Sequence, residues 1–141
     1  MVTILCIDDD PEMLQLQKAI LGMKGYTVLT APDGLAGIAI TRTHSIDAVV
    51  TDFQMPGMNG GQVAELLMKE NPTLPVVIYS GRPDEVPERV KCAAYSFLAK
   101  GDGPGKLLSM VDQLIAVNGA VKRRPGRNGK KSRGNWQKKA S

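Results

Sequence analysis

Short apolar runs alternate with longer amphipathic stretches along most of this chain. The runs are apolar at successive positions, which is typical of strands buried on both faces of a sheet. They occupy residues 2–7, 26–31, 48–51, 74–80 and 96–99. The stretches with helical spacing of apolar residues occupy 11–24, 34–43, 61–70 and 104–117, with a shorter one inside 82–94. The pattern therefore predicts strands and helices in alternation.

This alternation predicts an α/β fold with a parallel sheet covered by helices on both faces. At this length the natural arrangement is a doubly wound (βα)₅ flavodoxin-like fold, with five parallel strands in the order 2-1-3-4-5. Asp10-Pro11 is an N-cap followed by a first-turn proline, and Gly25 is a helix stop. Pro83 and Pro87 disfavour a long fourth helix, so we expect this helix to start late, to be short and to be mobile.

The charge of the chain divides near residue 118. Residues 1–118 contain nine Lys and Arg against fourteen Asp and Glu, a net charge of −5, whereas residues 119–141 contain nine Lys and Arg and no acid. We therefore predict one folded domain over 1–118 and a basic, disordered tail over 119–141. The tail is either a solvated extension or an arm for an acidic partner such as nucleic acid, where Trp136 could stack on a base.

The sequence shows no signal for secretion or membrane insertion. No apolar run approaches the roughly 20 residues of a membrane span, and Met1 leads into a strand without a basic signal region. Cys6 and Cys92 lack the spacing of a metal site or a disulfide framework, so we expect buried free thiols. These features predict a cytoplasmic protein without a membrane partner.

Four predicted strands end in residues that can carry chemistry. Asp8 and Asp9 follow the first strand, and Asp52 follows the third. Ser80 ends the fourth strand, and Lys100 follows the fifth. The carboxyl ends of parallel strands lie along one edge of the sheet, and ligands bind there beside the switch point between strands 1 and 3. We therefore expect these side chains to meet.

Clustered carboxylates suit an octahedral Mg²⁺, which prefers hard oxygen ligands and keeps several waters. The ion would offset the repulsion between the acids and leave positions for phosphoryl oxygens. Asp52 stands alone at its strand end and is the best candidate for a nucleophile that forms an acyl phosphate. Lys100 and the Ser80 hydroxyl would supply the positioning and charge neutralisation that phosphoryl transfer needs.

These strand ends also carry the motifs of a known family. The segments ILCIDDD, DFQMPGMNG, VVIYSG and SFLAKG resemble the receiver domain of bacterial two-component response regulators, and the resemblance covers residues 1–118. It implies a phosphoacceptor signalling module that passes its state to a protein partner. Residues 119–141 are too few and too polar for a helix-turn-helix effector, so we expect a stand-alone receiver.

The resemblance implies a metal-assisted phosphoacceptor site. Asp52 would accept a phosphoryl group from a histidine kinase or a phosphotransfer protein. Mg²⁺ would be bound by Asp9, by Asp52 and by the backbone carbonyl of Gln54, with Asp8 acting through water. Such a module catalyses only its own phosphoryl transfer and slow dephosphorylation, so it is not an enzyme with an external substrate to turn over.

The resemblance also implies a switch. Ser80 would contact the phosphoryl group, and Lys100 would pair with it. Phe97 matches an aromatic position that turns inward when Ser80 moves, while Gln54 and Arg82 match positions that tune hydrolysis of the acyl phosphate. The family usually has proline directly after the lysine, but this chain has glycine there, which leaves the loop less constrained.

Two other functions use similar residues. Asp8-x-Asp10 resembles the paired aspartates of haloacid dehalogenase-like phosphatases, although Pro11 follows where that family needs further loop residues and the chain lacks room for a cap. Turnover of many phosphate esters per chain would favour that alternative. A flavodoxin-like FMN binder is the third candidate, and here the three adjacent aspartates would repel the FMN phosphate.

Overall fold

The structure is a computed structural model that describes residues 1–92 and 96–122. Its strands form one parallel sheet in the order β2-β1-β3-β4-β5, which confirms the predicted topology. The strands are β1 (Thr3–Ile7), β2 (Thr27–Ala31), β3 (Ala48–Thr51), β4 (Val76–Ser80) and β5 (Ser96–Ala99). The helices are α1 (Pro11–Gly22), α2 (Gly34–Thr43), α3 (Gly60–Glu70), α4 (Glu88–Lys91) and α5 (Pro104–Lys122).

Each face of the sheet packs against its own set of helices. One apolar cluster joins α2, α3 and α4 to the sheet through residues such as Ile38 and Val63. The other cluster joins α1 and α5 to the opposite face through residues such as Leu21 and Leu107. Because full burial of such a side chain contributes about 1.5–3 kcal/mol, the two layers together hold the strand ends in a fixed arrangement.

Polar side chains begin the first three helices. The Asp10 carboxylate accepts a hydrogen bond from the Glu12 N–H at the start of α1, as the N-cap prediction requires. The Asp33 carboxylate accepts a backbone hydrogen bond in the same way at the start of α2. Asn59 begins α3 with a capping box, in which the side chains of the cap and of the third helical residue each accept a hydrogen bond from the other residue's backbone N–H. Since Asp10 serves as a cap, Asp8 and Asp9 are the acids left at the end of β1 for other chemistry.

Residues 81–92, the described part of the segment between β4 and β5, form only short helical elements, as the prolines predict. A 3-10 turn spans Pro83–Glu85, and α4 begins directly after Pro87 and is four residues long. Val86 and Val90 are buried and anchor this segment to the core. The mobility of the segment stays a prediction.

Two predictions from the sequence are wrong, one about a buried cysteine and one about the end of α5. Cys6 is buried, but Cys92 is exposed because it lies at the end of the short α4. The helix predicted to end at residue 117 continues to Lys122, so the first residues of the predicted tail are helical. Gly119 does not stop it, since a glycine inside a helix costs only about 1 kcal/mol relative to alanine. The predicted disorder of residues 123–141 lies outside the described part of the chain.

Smaller differences affect element boundaries. β1 and β2 each begin one residue later than predicted and β4 two residues later, while α1 ends two residues earlier and α3 begins one residue earlier.

Within the described ranges, no helix combines the length and the apolar character needed to cross a bilayer.

The start of α3 packs directly on the backbone at the end of β3. A Cβ atom added at Gly60 would lie 2.1 Å from the carbonyl oxygen of Asp52 and 2.9 Å from the Cα of Phe53. The Gly60 N–H donates a hydrogen bond to the Phe53 carbonyl oxygen at 2.9 Å. Only glycine allows this close approach, so Gly60 helps to fix the backbone that carries Asp52.

We expect Gly60→Ala to lower the free energy of unfolding by about 2–3 kcal/mol, because the added methyl group overlaps rigid backbone. Gly105→Ala is the matched control, since Gly105 also lies in a first helical turn but a Cβ there would meet nothing within 4 Å. That control should be neutral or slightly stabilising. Urea denaturation measures both variants, and equal stabilities of the two would contradict the close-contact explanation.

Candidate functional site

The register of the sheet places the ends of β1 and β3 side by side. Ile7 pairs with Thr51, so Asp8 and Asp52 follow at the same level of the sheet. The Asp52 N–H donates a hydrogen bond to the Ile7 carbonyl oxygen at 2.9 Å, and the Asp8 N–H donates to the Ala31 carbonyl oxygen at 3.1 Å. These bonds extend the ladder past the strands and fix both acids at the switch point.

Three carboxylates meet at this edge, as predicted from the sequence. One oxygen from each of Asp8, Asp9 and Asp52 lies within 4.8 Å of the others. Asp8 and Asp52 are buried, with 1% and 8% of their surface exposed, whereas Asp9 is exposed. Negative charges this close repel one another strongly where water is partly excluded. The cluster therefore needs positive charge beside it.

Lys100 supplies positive charge from the end of β5. Its Nζ donates a hydrogen bond to Asp8 Oδ2 at 2.8 Å and lies 3.4 Å from Asp52 Oδ1. Its side chain is only 16% exposed, and Nζ lies 5.9 Å from the centroid of the Tyr79 ring. Gly101, which replaces the proline expected from the resemblance, does not prevent Lys100 from pairing with both acids.

The surroundings of Asp52 and Lys100 shift their pKa values. Burial raises the pKa of Asp52 to about 6 and the charge of Asp8 acts in the same direction, while Lys100 and the hydrogen bond from the Phe53 N–H oppose this rise. Burial lowers the pKa of Lys100, but its bond to Asp8 and the charges of Asp52 and Asp8 outweigh burial and raise it. At neutral pH Asp52 is thus ionised, and it is more basic than an ordinary aspartate.

The donor set fits a small divalent cation. Among the described residues, three carboxylates lie beside one ammonium group, which leaves an excess of negative charge. Carboxylate oxygens are ligands that Mg²⁺ prefers. Both oxygens of Asp8 already accept hydrogen bonds, Oδ1 from the Asp10 N–H at 3.0 Å and Oδ2 from Lys100. Asp8 is therefore suited to act on an ion through water, whereas the exposed Asp9 is open to direct contact.

Ser80 ends the strand beside β3 and is fully buried. Within the described residues, its hydroxyl donates a hydrogen bond to Gln54 Oε1 at 3.1 Å and accepts one from the Arg82 N–H at 3.0 Å. The hydroxyl proton of Ser80 is thus directed toward the Gln54 amide and not toward the carboxylate of Asp52.

Phe97 is half-buried in β5, where it pairs with Ile78 and packs against the apolar cluster beneath α2, α3 and α4. Lys91 of α4 places its Nζ 5.3 Å from the centroid of the Phe97 ring. At this distance the ammonium group and the ring attract each other through a cation–π interaction. The contact links the aromatic side chain to the short helix α4.

Sequence reasoning misses three contributors to the site. Glycine is required at position 60 because its backbone lies against the backbone of Asp52. The sequence marks this residue by its position at the end of the DFQMPGMNG segment. The Phe53 N–H, which donates to Asp52 Oδ1 at 2.9 Å, has no sequence signature because every residue except proline offers the same group. Lys91 could be found only after the position of α4 was known.

We expect Asp52→Asn to stabilise the metal-free protein at neutral pH. Because folding raises the pKa of Asp52 from 3.8 to about 6, the folded state favours the protonated carboxyl group. This contribution to the free energy of unfolding is fully present below the pKa that Asp52 has in the unfolded chain. It is lost as the pH rises through the pKa of Asp52 in the folded protein. In EDTA, the variant should exceed the wild type by on the order of 1–2 kcal/mol at about pH 7, and the difference should shrink toward about pH 4.

Urea unfolding across this pH range measures the difference. Asp84→Asn, which removes an exposed acid from the turn before α4, is the matched control and should show no such trend. A pH-independent difference between Asp52→Asn and the wild type would contradict the electrostatic account of the site.

Comparison with known proteins identifies the family. Residues 4–112 match the response regulator receiver domain family. The chain is 32% identical over 125 residues to the probable transcriptional regulatory protein TcrX of Mycobacterium tuberculosis, covering 89% of this chain and 51% of TcrX. It is also 32% identical over 121 residues to protein PilH of Pseudomonas aeruginosa, covering 82% of this chain and 99% of PilH. The chain thus spans about half of TcrX and nearly all of PilH.

A solved structure with the same fold comes from Thermotoga maritima. Response regulator protein TrrA, solved in complex with Mg(2+)-BeF, aligns with a TM-score of 0.72 at 26% identity, covering 81% of this chain and 99% of TrrA. A second structure holds TrrA in complex with the histidine kinase ThkA, and it aligns with a TM-score of 0.74. The comparisons lend no support to the phosphatase alternative. The chain belongs to the response regulator receiver domain family of two-component signalling.

Proposed function

We propose that this protein accepts one phosphoryl group on Asp52 from the phosphohistidine of a histidine kinase or a phosphotransfer protein. The observation that carries the proposal is the joint placement of three carboxylates within 4.8 Å and of the Lys100 ammonium 2.8 Å from Asp8 and 3.4 Å from Asp52. This arrangement concentrates negative charge around one nucleophile and holds a cation beside it. A phosphoryl group needs a nucleophile and neutralisation of its own negative charge, which Asp52 and the cation beside it are suited to supply.

The proposed step forms one bond and breaks one bond. A carboxylate oxygen of Asp52 attacks phosphorus, and the P–N bond to the donor imidazole breaks. The departing nitrogen takes the electron pair of that bond, and a donor ring that is protonated on its other nitrogen leaves as neutral imidazole. Asp52 gains an acyl phosphate, and no further reactant is consumed. The raised pKa of Asp52 favours this attack, because a more basic carboxylate is a better nucleophile.

Lys100 and Ser80 position the transferred group. Lys100 would pair with a phosphoryl oxygen, since its ammonium group already lies beside Asp52. Ser80 would donate its hydroxyl proton to another phosphoryl oxygen after leaving Gln54. Neither side chain forms a covalent bond in this step. Their contribution is charge neutralisation and orientation.

Mg²⁺ is the metal that the site suits. Asp9, Asp52 and the backbone carbonyl of Gln54 would hold it, with Asp8 acting through water. When bound, the ion supplies charge neutralisation between the acids and the phosphoryl oxygens. The supporting observations are the excess of carboxylates over ammonium groups among the described residues and the hydrogen bonds that both Asp8 oxygens already accept.

The proposed output is a change of surface near β4, α4 and β5. Movement of Ser80 toward the phosphoryl group would open space for Phe97 to turn inward, which would separate its ring from Lys91. A downstream protein partner would read this change.

The module would act in the cytoplasm and catalyse only its own phosphorylation and slow dephosphorylation. We also propose that residues 1–118 form the receiver unit and that residues 119–141 are a basic tail.

Treatment with a small phosphodonor such as acetyl phosphate and with Mg²⁺ should add one phosphoryl group to each chain. Intact-protein mass spectrometry measures the adduct, and peptide mapping should place it on Asp52. Asp52→Asn should abolish uptake because the nucleophile is lost, and EDTA should strongly reduce it. Asp84→Asn, an exposed acid outside the site, is the control that should retain full uptake.

Phosphate found on another residue would overturn this assignment, as would uptake that persists in Asp52→Asn. Multiple turnover of phosphate esters by the wild type would instead favour a phosphatase.

A further inference from the structure

The hydroxyl proton of Ser80 already has an acceptor inside the protein. Ser80 donates to Gln54 Oε1 at 3.1 Å, while its oxygen accepts from the Arg82 N–H at 3.0 Å. A serine hydroxyl has one proton to donate. Ser80 therefore cannot donate fully to Gln54 and to a phosphoryl oxygen at the same time.

This bond is also what holds the Gln54 side chain. The amide nitrogen Nε2 of Gln54 is buried and has no hydrogen-bond partner within the described residues. A buried donor without a partner is costly, so the side chain must gain from another contact to stay in this position. In the described part of the chain, the bond from Ser80 to Oε1 is the polar contact that this side chain makes.

The bond joins two segments that the proposed reaction must move relative to each other. Gln54 lies two residues after Asp52, in the loop that leaves β3. Ser80 is the last residue of the neighbouring strand β4 and is fully buried, so its hydroxyl has few alternative partners. A bond between these segments opposes any movement of Ser80 toward a group on Asp52.

We propose that Gln54 is a positioning residue whose amide oxygen competes with the phosphoryl group for the Ser80 proton and so holds the site in its unphosphorylated arrangement. The proposal rests on the proposed function of Asp52 as phosphoacceptor. It assigns a role to the Gln54 side chain that differs from metal binding by its backbone carbonyl and from hydrolysis of the acyl phosphate. Loss of this side chain should make the phosphorylated arrangement easier to reach.

Binding of beryllofluoride in the presence of Mg²⁺ tests this competition, because the bound anion imitates a phosphoryl group on a carboxylate without being hydrolysed. Gln54→Met keeps the length of the side chain but removes the acceptor. We expect this variant to bind beryllofluoride roughly twofold to tenfold more tightly than the wild type, which is the range expected for one hydrogen bond that no longer has to be broken. Isothermal titration calorimetry on the full chain gives the dissociation constants.

The same substitution in a Ser80→Ala background separates competition from a general structural effect. Without the Ser80 hydroxyl there is no proton to compete for, so Gln54→Met should then leave the dissociation constant unchanged. Gln113→Met, at an exposed glutamine of α5, is the matched control and should match the wild type. Mg²⁺ affinity is measured for each variant without beryllofluoride, and beryllofluoride binding is then compared at saturating Mg²⁺.

Two results would overturn the inference. One is unchanged or weaker beryllofluoride binding by Gln54→Met, which would mean that the amide is neutral toward Ser80 or assists it. The other is an equal gain in affinity with and without the Ser80 hydroxyl, which would show a purely structural effect. The proposed function itself fails if the wild type does not bind beryllofluoride. It also fails if Asp52→Asn binds beryllofluoride as tightly as the wild type does.

Discussion

The pairing of one ammonium group with two buried carboxylates is the interaction on which the site depends. Lys100 comes from β5 at one edge of the sheet, whereas Asp8 and Asp52 come from the central strands β1 and β3. These side chains meet only if all the intervening strands keep their order and register. The pairing neutralises part of the charge and leaves the rest for a cation and a phosphoryl group. Burial and the charge of Asp8 raise the pKa of Asp52 to about 6, although Lys100 opposes this rise.

Two weak contacts lie at the positions that we propose to switch on phosphorylation. Ser80 is bonded to Gln54, and Phe97 lies beneath the ammonium group of Lys91. Each contact is worth on the order of 1 kcal/mol, so a phosphoryl group that gains new charged hydrogen bonds can displace both. The short helix α4 carries Lys91, and its small number of anchoring residues makes it a suitable element to respond to that displacement.

The strands and the position of the acids are predictable from the sequence because they depend on local features, and the sheet order follows from the doubly wound arrangement of alternating strands and helices. Each strand is a continuous apolar run, and a residue such as Asp8 or Asp52 directly after a strand must lie at the edge of the sheet. The partner of Ser80 is not predictable, because it depends on the conformation of the loop that follows β3. The end of α5 is not predictable either, because a glycine ends some helices and is tolerated inside others. Gly119 is tolerated inside α5.

The claim that these acids and Lys100 form one metal-dependent phosphoryl site is tested most directly by a crystal structure of the protein grown with Mg²⁺ and beryllofluoride. The expected result is an ion in contact with Asp9, Asp52 and the backbone carbonyl of Gln54. The beryllium should be joined to a carboxylate oxygen of Asp52, and Lys100 and Ser80 should both contact its fluorides. An ion bound away from these acids, or a beryllofluoride group attached to a different residue, would contradict the claim.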